Sequence, residues 1–221
     1  MDQFDWKRYT NLVASLLPPV GKSSGYSEAA VTKADRRLGV RLPTLLKEFY
    51  LQVGKRGDIN ADFHRLVLPE DLYVDDEGVL VFYDENQEAC HWGVKASHAN
   101  DYDPPVVRWI HGNGASWTHE FNRLSDFILD MLFLQASNTM RYSGVGNMPA
   151  SSVKALGEGW QTREAAGTWT SRAIYREGEL IYILGGDDPL DIFAGAKTKR
   201  QFLALEKALK ISFDYCTLDD E

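Results

Sequence analysis

A chain of 221 residues, 44% hydrophobic and 12% aromatic, can bury a sizeable core, and a charged fraction of 25% excludes a disordered or fibrous class. The net charge of -8 is uneven: residues 1–57 carry ten Lys/Arg against five Asp/Glu, residues 58–130 four against fifteen, and residues 131–221 ten against twelve. A negative field this concentrated repels nucleic acid and anionic membrane and attracts a basic partner, although acids scattered over solubilising loops would give the same count.

The opening Met-Asp-Gln-Phe-Asp-Trp places acids where a signal peptide needs a positive region. Apolar runs such as Met131–Leu134 fall far short of the ~20 residues of a bilayer span. Cys90 and Cys216 are distant and lack Cys-x-x-Cys spacing, which argues against a disulfide framework or zinc ribbon. The expectation is a cytoplasmic protein with two small, partly buried thiols.

Asp5 to Leu17 reads as a helix, with Trp6, Tyr9, Leu12, Val13, Leu16 and Leu17 on one face and Pro18-Pro19 as its stop. Ser27 caps a second helix that ends at Leu38, with Gly39 suited to the left-handed position beyond it. Pro43 opens a third, whose buried stripe is Leu45, Leu46, Phe49, Tyr50 and Val53.

Short extended runs then follow: Arg65–Leu68, Val79–Tyr83, Cys90–Val94, Val106–Ile110 and Ser116–Glu120, punctuated by Gly, Asn, Asp and Pro. No helical crossover separates them, so the sheet is expected to be mostly antiparallel. Leu124–Gln135 returns to helix. Ser137–Ser152 reads as a boundary or long loop. Beyond it, Arg172–Arg176 and Glu179–Leu184 flank a hairpin turn at Glu177-Gly178, Asp191–Ala194 is a further strand, and Thr198 caps a last helix through Leu209. The class is α+β, with N-terminal helices and a later helix flanking the sheet. A domain at 1–142 precedes a β-hairpin and helix extension at 150–221, expected to pack on it.

One combination of pieces is informative in its order. A helix ending Leu38-Gly39 is followed by Leu42-Pro43, Lys47-Glu48-Phe49-Tyr50 and Gly54. Then come Val79–Asn86 running into an acidic turn, Trp92-Gly93, Asp103-Pro104-Pro105-Val106, Trp109, and Leu124-Ser125-Asp126-Phe127 opening a helix. Over residues 1–137 this resembles the SUKH superfamily, which includes bacterial toxin-immunity proteins and a yeast regulator of cell-wall synthesis. Val53 departs from the polar residue that members often carry there. The resemblance implies a non-enzymatic binding protein. The matched residues read as scaffold, and fold alone does not give function.

Enzyme constellations are missing from the pattern. Gly144-Val145-Gly146 and Gly185-Gly186 continue into no phosphate-binding fingerprint and read as turns. His64, His91, His98, His111 and His119 contain no His-Glu-x-x-His, so no metal or cofactor is expected. The acid pairs Asp75-Asp76, Asp84-Glu85 and Asp187-Asp188 lie at turns, where Asp is favoured for backbone reasons. Cys90 and His91, adjacent on a strand, point to opposite faces.

The resemblance and the charge map together imply an immunity protein that meets a basic protein toxin, such as a nuclease, through an acidic face. The expected contact residues are Asp75, Asp76, Glu77, Asp84, Glu85, Glu88, Asp101 and Asp103, with Tyr83 or Tyr102 as the aromatic anchor. Nucleic acid and membrane are not expected partners. A regulatory scaffold of the cell-wall type is the alternative, and an unrecognised hydrolase a third.

Overall fold

The computed structural model describes residues 3–112, 116–168 and 170–220. In chain order the helices are α1 (Trp6–Leu16), α2 (Glu28–Leu38), α3 (Thr44–Val53), the short α4 (Gly57–Asn60), α5 (Leu124–Thr139) and α6 (Lys199–Leu209). The strands are β1 (His64–Leu66), β2 (Tyr73–Val74), β3 (Val79–Glu85), β4 (Cys90–Lys95), β5 (Val106–Ile110), β6 (Thr118–Phe121), β7 (Tyr142–Met148), β8 (Gln161–Glu164), β9 (Ser171–Arg176), β10 (Glu179–Leu184), β11 (Leu190–Ala196) and β12 (Ser212–Cys216). They form two antiparallel sheets, so the class is α+β. Among the described residues no helix is long and apolar enough to cross a membrane.

The chain divides into two units. The first is built on Val20–Leu129 with Ala166–Thr168, and the second on Asp5–Pro19, Asp130–Ala165 and residues 170–220. Helix α1 therefore belongs with the C-terminal strands, and α5 starts in the first unit and ends in the second.

In the first unit the sheet order is β1-β3-β4-β5-β6, with β2 pairing to β3 at Leu80 and Val81, away from the Tyr83–Glu85 stretch that β1 pairs. Strand β3 is buried from Val79 through Tyr83, which its apolar run Val-Leu-Val-Phe-Tyr dictates. Its core is aromatic. Phe127 of α5 meets Phe82, Tyr83, Trp92 and Phe121 at ring separations of 5.4, 5.3, 5.8 and 5.6 Å. Helix α2 starts where Ser27 accepts the Ala30 N–H, and ends at Gly39 with φ of 70°. Asp35 then accepts from Leu42 N at 2.6 Å and Lys47 Nζ at 2.8 Å, fixing the Leu42-Pro43 corner between α2 and α3. Arg37 reaches the Leu72 carbonyl at 2.6 Å, anchoring the chain just before β2.

In the second unit the order is β12-β7-β11-β10-β9-β8. Helix α6, capped by Thr198, buries Phe202, Leu205 and Leu209 in one hydrophobic cluster with Ile181, Ile183 and Ile192. Helix α1 gives its last carbonyls to this unit: Ser15 O accepts from Gly178 N at 2.8 Å and Ala14 O from Lys197 Nζ at 2.6 Å. Gly178, with φ of 75°, makes the two-residue turn between β9 and β10.

The expected loop at Ser137–Ser152 is corrected here. Helix α5 continues to Thr139, and Tyr142–Met148 is β7, paired on both sides. Gly144 and Gly146 are not turns. A Cβ on Gly146 would lie 2.1 Å from the Ser212 carbonyl oxygen, and one on Gly144 2.7 Å from the Phe213 ring. The glycines let β12 approach.

Candidate functional site

The turn between β2 and β3 is organised by one carboxylate. Asp75 Oδ1 accepts the N–H groups of Glu77 at 3.0 Å and Val79 at 2.7 Å. The main chain closes the same turn, from Asp75 N to Val79 O and from Gly78 N to Asp75 O, both 3.0 Å. Gly78 takes a φ of 75° that other residues resist. The other oxygen, Oδ2, accepts the indole N–H of Trp117 at 2.6 Å and holds that half-buried ring beside the turn. Asp76 and Glu77 are left exposed at the tip. Neither carboxylate has an ion pair among the described residues. Glu77, Gly78, Val79, Lys95, Ala96, Ser97 and Trp117 line a cavity of about 340 Å³.

The turn between β3 and β4 is built on the same plan. Glu85 Oε2 accepts Gln87 N at 2.8 Å and Ala89 N at 3.2 Å. Glu88, at φ of 60°, is exposed and pairs with Arg65 at 3.2 Å. Asp84 meets His91 Nδ1 at 2.7 Å. Arg65, Asp84, His91 and Trp109 stand opposite one another in register across β1, β3, β4 and β5. The rings continue the row, with His91 5.6 Å from Trp109 and Trp109 4.8 Å from His111.

These two turns close opposite ends of the seven-residue β3. At ~3.3 Å per residue they lie about 20 Å apart. Six of the expected contact acids therefore form two clusters, Asp75-Asp76-Glu77 at one end and Asp84-Glu85-Glu88 at the other.

The remaining expected contact residues are engaged within the fold. Asp101 Oδ2 lies 2.9 Å from His98 Nδ1. Asp103 accepts Ser125 N at 2.8 Å and Ser125 Oγ at 2.6 Å, and pairs with Arg123 at 2.8 Å with its own side chain 4% exposed. It caps α5. The Tyr102 hydroxyl donates to Glu48 Oε2 at 2.9 Å and accepts Phe4 N at 3.1 Å. Tyr83 is a correction: at 1% exposed it is core, edge-on to Trp92 and Phe127, and offers nothing to a partner. The alternation of β3 does not predict this, because both faces of the strand are covered. Trp117 and Lys95 line the cavity and are not among the residues expected from the sequence. The available signal is a Trp at the mouth of a polar loop rather than within a strand.

Elsewhere the titratable groups are tied into structure. Burial pushes the Cys90 thiol up to about 12 and His64 down to about 4. The buried Glu120 accepts the Thr168 hydroxyl at 2.6 Å and pairs with Arg108 at 3.3 Å. In the second unit, buried Asp130 accepts from Tyr182 at 3.0 Å and Ser171 at 3.2 Å. Among the described residues no group of three His, Cys, Asp or Glu side chains is arranged to hold a metal ion. No family model matches the chain, and no curated protein or solved structure matches it.

Proposed function

We propose that this chain is a non-enzymatic binding protein of the SUKH type, an immunity protein that works in the cytoplasm by occupying a basic protein toxin. The observation that carries the reading is the tip of the β2–β3 turn. Asp76 and Glu77 stand there exposed, without an ion pair among the described residues, beside the fixed Trp117, within the segment that holds fifteen acids against four bases. Exposed charge steers a basic partner into encounter, and a rigid aromatic gives the encounter a centre to desolvate. The turn holds its shape without the two outward carboxylates, because Asp75 and Gly78 set it. Those two positions are therefore open to recognition. The ordered resemblance across residues 1–137 adds the class of partner.

Co-expression with each candidate toxin of the same locus, scored for growth, tests this. The wild-type chain restores growth against its cognate toxin, and the Asp76→Lys/Glu77→Lys variant does not. Failure of the wild-type chain to rescue growth from any toxin of its locus counts against the reading.

A further inference from the structure

We infer that the cavity beside Trp117 receives the guanidinium of an arginine presented by the partner; this deepens the binding role just proposed and rests on the partner being a basic protein. Two features of the cavity and one beside it select that group. Trp117 lines the cavity, and the indole N–H bond to Asp75 at 2.6 Å holds that ring in place, so contact with it needs little further ordering. An opposite-sign carboxylate, Glu77, also lines the cavity and has no ion pair among the described residues. Asp76, next to it, is also exposed and adds to the same field.

A guanidinium stacks flat on an aromatic face while its edge donates two parallel bonds to a carboxylate. An ammonium has no plane to stack and keeps its water more firmly. At about 340 Å³ the cavity has room for one long side chain. Among the described residues, Lys95 is the one cation of the lining. It stands against three carboxylates in the adjacent turn, Asp75, Asp76 and Glu77, so the local balance favours a cation.

The test uses the full chain and the peptide acetyl-Gly-Arg-Gly-amide, followed through the indole N–H signal of Trp117 by NMR. The arginine peptide shifts that signal saturably, at about millimolar affinity as befits one side chain. Citrulline, with the same shape and no charge, gives no saturable shift, and lysine binds about fivefold more weakly. Glu77→Gln weakens arginine binding about fivefold, and Lys95→Met tightens it. Glu77 is exposed, so its replacement leaves the fold intact.

Equal binding of citrulline, tighter binding of acetyl-Gly-Asp-Gly-amide, or no saturable shift overturns the inference. A toxin that is neutralised equally well by the Glu77→Gln variant also overturns it, while leaving the immunity reading in place. Arginine binding in a chain that rescues no toxin does the reverse.

Discussion

Asp75 is expected to be a structural residue first, and Asp75→Ala is the perturbation that shows it. The substitution removes three accepted hydrogen bonds at once: from Glu77 N at 3.0 Å, Val79 N at 2.7 Å and Trp117 Nε1 at 2.6 Å. Bonds to a charged acceptor contribute roughly 1.5–3 kcal/mol each when buried, but this turn is half exposed and the freed donors regain water. Taking about 1 kcal/mol for each gives a loss of about 3 kcal/mol. Asp75→Asn separates the parts. Its carbonyl oxygen still serves the turn, its amide cannot accept from the indole, and the cost falls to about 1 kcal/mol. Urea denaturation of the three proteins measures the losses, and the Trp117 indole N–H signal reports the lost bond directly. A change below about 0.5 kcal/mol for Asp75→Ala would refute the reasoning, because it would place the carboxylate among ordinary solvated surface acids.

Other outcomes follow from the same geometry. Asp103→Ala strips α5 of its cap and leaves Arg123 without its partner, costing about 2 kcal/mol by chemical denaturation; no loss would contradict the cap. His64 sits at about 4 in the folded chain against 6.5 when free, so protons favour the unfolded chain. Its contribution is complete above pH 6.5 and is lost as pH falls toward 4, by at most roughly 3 kcal/mol, and His64→Phe flattens that part of the stability–pH curve. Burial raises the Cys90 thiol to about 12, so iodoacetamide labels Cys90 in the native protein far more slowly at pH 8 than it labels free cysteine. Labelling at the free rate would show that this strand is open. Phe127→Ala removes the ring shared by four aromatic neighbours and costs about 3–5 kcal/mol by denaturation; a loss under about 1 kcal/mol would deny that these rings form one core.

Punctuation was the most legible part of the fold. Ser27 and Thr198 cap their helices and Gly39 takes its left-handed turn, because each such position needs a particular backbone or side-chain chemistry that few residues supply. The strands β3, β4, β5, β9 and β10 follow from their apolar or alternating runs. Strand β7 is hidden by Gly144 and Gly146, which read as turn residues yet serve close approach, a property that depends on β12 almost seventy residues away. The two-residue β2 leaves too short a pattern to detect.

At the candidate site the acids were legible as turn residues and their division of labour was not. Asp75, Glu85 and Asp103 each give an oxygen to a backbone N–H, whereas Asp76 and Glu77 have no ion pair among the described residues. In sequence an Asp that bonds its own turn and an Asp that faces water look alike. Tyr83 and Trp117 show the same limit for aromatics, since burial depends on which elements cover each face.

We propose that Asp76 and Glu77 guide and hold a basic protein partner. Stopped-flow association with the cognate toxin, for the wild-type chain and for Asp76→Lys/Glu77→Lys across a range of salt, tests it most directly. The account predicts an association rate about tenfold slower at low salt for the variant, a flatter dependence on ionic strength, and unchanged folding stability. An equal association rate for the two proteins at low salt would contradict it.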